Sequence, residues 1–100
     1  MPEKNLADML NLGEKSAQML HAAGIHTVKE LADLGAVDAY LKIKRQRVAV
    51  SLNMLYAIKG ALTNTHWNKL DRSTREALLM EVDAKEASNS FTVAGFLKEL

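Results

Sequence analysis

The sequence predicts a compact, multi-helix all-α domain, and two observations carry that prediction. Apolar residues recur at helical spacing along most of the chain, whereas strand-like alternation is confined to residues 48 to 52, which have no evident partner. The helical runs are also separated by stop and start signals, most plainly Gly24 followed by Thr27-x-x-Glu30, a glycine C-cap ahead of a capping box. A length of 100 residues suits one domain with one modest core. With 48% apolar and 25% charged residues the composition is that of a folded chain, not a disordered one.

The elements follow in order. Leu6, Met9 and Leu10 form a first short apolar face, and Leu12-Gly13 is a turn ahead of a helix that opens with Glu14, Lys15 and Ser16. Ala17 and Leu20 face inward from that helix, and Val28, Leu31 and Ala32 from the next. Gly35 separates a further face, Val37, Tyr40 and Leu41, whose helix ends in Lys42 and Lys44. Residues 51 to 62 are apolar around most of the circumference, so they are expected to form the central helix, with Ser51 as N-cap. Gly60 inside it costs about 1 kcal/mol in helix propensity, which a close helix contact would justify. Thr65 is placed as the cap of one turn, HWNKL. A helix from about Arg72 to Lys85 follows, started by Leu70-Asp71 or by the box Ser73-x-x-Glu76, with Leu78, Leu79 and Val82 inward. Residues 87 to 90 read as a polar hinge, dividing a domain at 1–86 from a C-terminal amphipathic segment at 87–100. In that segment Val93, Phe96, Leu97 and Leu100 share a helical face. The face either folds back or docks on another chain, for which a symmetric homodimer is the simplest assembly.

The formal charge of +1 indicates no whole-surface attraction to nucleic acid, so phosphate binding would need a local cluster. The absence of cysteine excludes disulfides and thiolate metal sites. The first residues lack the apolar stretch of a signal peptide, and no window resembles a membrane span, so a soluble cytoplasmic protein is expected. His21, His26 and His66 are too scattered for a metal site. Ser16 and His21 lie on different faces of one helix without an orienting carboxylate, and Asp33 and Asp38 flank a glycine on a polar face. Trp67 and Tyr56 read as core or rim residues, and Asn53 as a side chain bonded to backbone or to the hairpin. No phosphate-loop or dinucleotide fingerprint is present, so neither an enzyme nor a cofactor is expected.

A glycine turn feeding a helix leaves unpaired N–H groups at the positive end of a dipole, a geometry that suits a phosphate. Residues 10 to 31 have this layout and resemble a helix-hairpin-helix module, a small unit that binds the DNA backbone. Gly13 would let a phosphate approach, Lys15 supplies charge and Ser16 a hydroxyl donor. Such turns commonly carry glycine where this chain has Asn11, a residue that tolerates a left-handed backbone. Glu14 beside the anion site opposes binding while favouring its own helix. The other reading is a turn that only joins two packed helices. The run Lys42, Lys44, Arg45 and Arg47 is the densest positive cluster, either a nucleic-acid contact or a solvated helix end. If it shares one duplex with Lys15, about three to five phosphates are neutralised, and log affinity falls with log salt at a slope of about −3 to −4.

The blocks NLG-x-KSA, AGI-x-T-V-x-x-L, LGAV-x-AY and SLN-x-LYA-x-x-GAL, in that order between about residues 6 and 83, resemble the C-terminal domain of the TfoX/Sxy family. These are regulators of bacterial competence for DNA transformation. The resemblance implies a small all-α, helix-hairpin-helix-like fold. It also implies a coactivator role at competence promoters, with the cyclic-AMP receptor protein as a partner. Family members commonly carry a separate N-terminal domain, so the chain is either a stand-alone member or part of a longer one. NLGEKS and AGIHTVKEL also resemble two blocks in the C-terminal domain of the RNA polymerase α chain, where they occur in the opposite order. There the NLG-x-KS turn contacts the DNA backbone, which makes Asn11, Gly13, Lys15 and Ser16 the candidate DNA contacts, with Lys42, Lys44, Arg45 and Arg47 beside them. A regulatory module that binds DNA or a transcription complex is thus expected. The alternative is a protein–protein interaction domain without nucleic-acid contact.

Overall fold

The structure, a computed structural model, describes residues 5–46 and 50–99, with the backbone alone for 88–99. It is all-helical among the described residues: α1 (Glu14–Ala22), α2 (Val28–Leu34), α3 (Ala36–Arg45), α4 (Leu52–Thr63) and α5 (Arg72–Glu99). Two single 3₁₀ turns, Leu6–Asp8 and Trp67–Lys69, complete the order. The first apolar face is therefore one tight turn, not a full helix. It still buries Leu6 and Met9.

α3 and α4 pack on each other at the centre, with α1 and α2 against α3 and the upper part of α5 laid on α3. Leu6, Leu20, Ile25, Leu31, Ile43, Leu55 and Ile58 are the fully buried large side chains, and they belong to one cluster that every element down to α4 enters. Each such burial stabilises the fold by roughly 1.5–3 kcal/mol before entropy is counted. From α5, Leu78 and Val82 close the same core.

The punctuation between helices is local and strong. Gly24 turns left-handed (φ 88°), and the Ile25 amide donates to the Leu20 carbonyl at 2.9 Å, the bond pattern of a Schellman stop. Thr27 Oγ1 accepts from the Glu30 amide at 3.0 Å. The Glu30 carboxylate reaches back to the His26 amide at 3.3 Å, one residue earlier than the usual box. Gly35 alone joins α2 to α3. α4 ends the same way as α1, with Asn64 left-handed and the Thr65 amide donating to the Gly60 carbonyl at 2.8 Å.

Several boundary expectations change. Ser51 stands at the N-cap of α4 but its side chain makes no cap bond. Thr65 does not cap the 3₁₀ turn, since its hydroxyl donates back to the Thr63 carbonyl. Asp71, rather than Ser73, caps α5, accepting from the Thr74 amide at 2.8 Å, and hydrogen bonding to the Thr74 side chain first, then to this amide, holds its carboxyl below its ordinary value. Residues 87 to 90, expected as a hinge, are helical, and α5 continues to Glu99. Without Gly or Pro, an established helix propagates through an alanine and three small polar residues, the latter at a cost of about a few tenths of a kcal/mol each. The side chains of Val93, Phe96 and Leu97, Leu100 entirely, and with them the expected homodimer face, lie outside the described residues, as does the strand candidate's start at 48–49.

Two ion pairs join α5 to α3: Lys44 to Glu86 at 2.7 Å and Lys85 to Asp38 at 2.6 Å. Both lysines are raised above their ordinary value, first by these hydrogen bonds. The pairs are about half exposed, so they orient α5 more than they stabilise it. Among the described residues no helix is long and apolar enough to cross a membrane.

Candidate nucleic-acid interface

The turn before α1 is built from its backbone outward. The Leu12 amide donates to the Met9 carbonyl at 3.0 Å, Asn11 is left-handed (φ 71°), and the buried Leu12 anchors the turn to the core. Gly13 is extended and stands at the N-cap of α1, where it offers no side-chain acceptor to the first amides. No partner occupies the Gly13, Glu14, Lys15 and Ser16 amides among the described residues, and nothing lies within 4 Å of where a Cβ on Gly13 would stand. Residues 13–15 are exposed. These are the orphan donors of a helix start, open to solvent and aligned with the positive end of the dipole.

Asn11 points the other way. Its Nδ2 donates to the Thr65 carbonyl at 2.8 Å and, at 3.5 Å, to the Ala57 carbonyl, while its Oδ1 accepts from the Trp67 amide at 3.1 Å. The side chain is a strut between the turn before α1 and the loop after α4. Gly60 makes room for it: a Cβ there would collide with the Thr65 carbonyl oxygen and the Asn11 side-chain nitrogen. The close contact expected at Gly60 is thus with a loop and an asparagine rather than with another helix.

Lys15 and Ser16 face a groove of about 410 Å³ between the starts of α1 and α4, with Asn53, Met54 and Trp67 on its other walls. Asn53 is exposed on this wall. Trp67 is 42% exposed, yet its backbone is fixed from two sides. Asn11 holds its amide, and Arg75 of α5 donates from Nη2 to its carbonyl at 3.1 Å. The Arg75 guanidinium also lies 5.1 Å from the centre of the Tyr56 ring, a cation–π contact that ties α5 to α4. Sequence reading missed Arg75, because nothing local marks an arginine whose partners are eight and nineteen positions away.

The second basic cluster is elsewhere. Among the described residues of the run, Lys42, Lys44 and Arg45 lie on the last turns of α3, and none lines the groove at α1. Lys44 is engaged by Glu86. Arg47 lies outside the described residues. The structure therefore brings Gly13, Lys15 and Ser16 together, adds Trp67 and Asn53, and does not bring the α3 cations to them.

The sequence profile of the TfoX C-terminal domain matches residues 2–82. Over 80 residues the chain is 29% identical to the DNA transformation protein TfoX1 of Aliivibrio fischeri (strain ATCC 700601 / ES114), covering 79% of this chain and 38% of that protein. It thus spans well under half of the relative's length. Two crystal structures from Listeria monocytogenes are similar in fold. One, an uncharacterized protein in a triclinic form, aligns at a TM-score of 0.75 with 34% identity over 83% of this chain and 94% of its own. The other, a protein of unknown function in a tetragonal form, aligns at 0.71 with 35% identity over 75% and 93%.

Proposed function

The chain belongs to the TfoX C-terminal domain family, and from that membership we propose that it is a regulatory module of DNA transformation that grips the DNA backbone through the turn at Gly13. One observation carries the proposal: the exposed start of α1, whose first amides have no partner among the described residues, with open space over Gly13 and a lysine and a serine beside it. A phosphate oxygen accepts from these amides and from the Ser16 hydroxyl, and Lys15 supplies charge, the recipe of backbone positioning rather than base readout. In this reading the turn acts as a helix-hairpin-helix clamp, and Asn11 positions it from behind. Glu14 limits the affinity, which suits a coactivator that acts beside a DNA-bound partner.

The near-balanced charge and the commitment of Lys44 to Glu86 favour a second reading, a protein-docking domain that reaches DNA only through the cyclic-AMP receptor protein or RNA polymerase. Titration of a labelled duplex at two salt concentrations separates the two. Under the first reading Lys15→Glu abolishes binding and Lys44→Ala/Arg45→Ala weakens it less. If both variants bind like wild type, the backbone clamp is lost. Pull-downs of either partner with and without DNA then test the rival.

A further inference from the structure

We propose that the groove beside the hairpin holds one unpaired nucleoside phosphate unit, its base on the Trp67 indole and its phosphate on Lys15 and Ser16; this inference rests on the backbone-binding reading of the same turn. Three features of the groove support it. Its volume of about 410 Å³ falls within the roughly 300–1,000 Å³ range of sites that enclose a small ligand. Lys15 is the one charged side chain that lines it among the described residues, and no carboxylate does, so the groove favours an anion. The opposite wall is an aromatic ring left 42% exposed although its backbone is pinned by Asn11 and Arg75 from two different elements. A half-exposed tryptophan on an anchored stretch of backbone offers a stacking face, and every base has a π-surface to meet it.

A base within a duplex is stacked on both sides and cannot reach that ring without leaving the helix. The unit is therefore supplied by a single strand, an overhang or a free nucleotide. The Asn11 strut gives the arrangement a built-in geometry, since one side chain fixes the spacing between the phosphate turn and the backbone that carries the stacking ring. Asn11→Gly keeps the left-handed backbone but removes that tie, which makes Asn11 a positioning residue for both ends of the ligand.

Trp67 is the chain's single tryptophan, so its emission reports directly on the site. The probes are a twelve-nucleotide oligothymidylate, a blunt duplex of the same length and thymidine monophosphate, each titrated into the whole chain. Quenching by the oligonucleotide or by the mononucleotide, and much less by the duplex, is expected, and the relative midpoints tell which source the groove prefers. By anisotropy of the labelled strand, Trp67→Leu should cost about 5- to 150-fold in single-strand affinity, with Trp67→Phe recovering part of it. Both should leave duplex affinity within about twofold, and circular dichroism checks that both stay folded. Asn11→Gly should weaken single-strand binding more than duplex binding. No quenching by either unpaired probe, or single-strand affinity indifferent to Trp67→Leu, overturns the groove proposal. If duplex binding remains sensitive to Lys15→Glu in that case, the backbone reading survives alone. If duplex binding is indifferent to Lys15→Glu while Trp67 still matters, it is the backbone reading that fails.

Discussion

At the scale of single residues, the informative pair is Asn11 and Gly60. In a helix interior Gly60 would normally be a weakness, yet alanine there has no room beside the Thr65 carbonyl and the Asn11 amide. Gly60→Ala is therefore expected to lose about 1–3 kcal/mol through overpacking, outweighing the gain of about 1 kcal/mol in helix propensity. Urea unfolding with an unchanged m-value checks this, and a stabilised variant would mean the strut is misplaced. Asn11→Ala should be worse than Asn11→Gly by about 1–2 kcal/mol, because only the former adds left-handed backbone strain to the lost bonds. Thr27→Ala should cost about 1 kcal/mol by removing the cap bond to the Glu30 amide.

Among the elements, the joint that responds to conditions is α3 against α5. The two lysines that bridge it have folded values above the ordinary 10.5. Their contribution is thus fully present below pH 10.5 and is lost as the pH rises through the raised folded values, where the amines lose their charge. The comparison that isolates it is wild type against an Asp38→Asn/Glu86→Gln variant, unfolded with urea at about pH 8 and about pH 11.5. The difference between the two proteins should shrink at the higher pH and also in high salt. No difference between the two proteins at about pH 8 would assign the joint to Leu78 and Val82 alone, and a difference that persists unchanged in alkali would show that the charged amines are not its source. Asp71 has the opposite sign: its cap on α5 is present above the ordinary 3.8 and fades as the pH falls through its lowered value.

Across the whole molecule, the basic residues do not act as one surface. Among the described residues only Lys15 of the basic side chains lines the groove, and Lys42, Lys44 and Arg45 of α3 stand apart from it, with Lys44 neutralised by Glu86. Wild type is therefore expected to neutralise about one to three phosphates, giving a log–log salt slope of about −1 to −3 rather than the roughly −3 to −4 of a shared face. Glu86→Gln releases Lys44. A steeper slope in that variant would place α3 near the duplex, and an unchanged slope would keep it away. The homodimer expected from Val93, Phe96, Leu97 and Leu100 is checked by sedimentation equilibrium of wild type and Phe96→Glu, with a dimer converted to monomer as the supporting result.

The all-helical class, the order of the helices and the stops between them were legible in the chain's letters alone. Those signals are short-range: Gly24, Thr27 and Glu30 sit within one turn of the backbone groups they satisfy. The turn at Gly13 was legible too, because a glycine ahead of a helix shows in neighbouring residues. Packing, by contrast, settled the company that turn keeps. The strut from Asn11 bridges partners 54 and 56 positions away, and Lys44 meets Glu86 across 42. Periodicity reports which side of a helix faces inward, but not which side chain from a distant segment arrives there. The groove and its tryptophan wall exist only once the starts of α1 and α4 have been brought together.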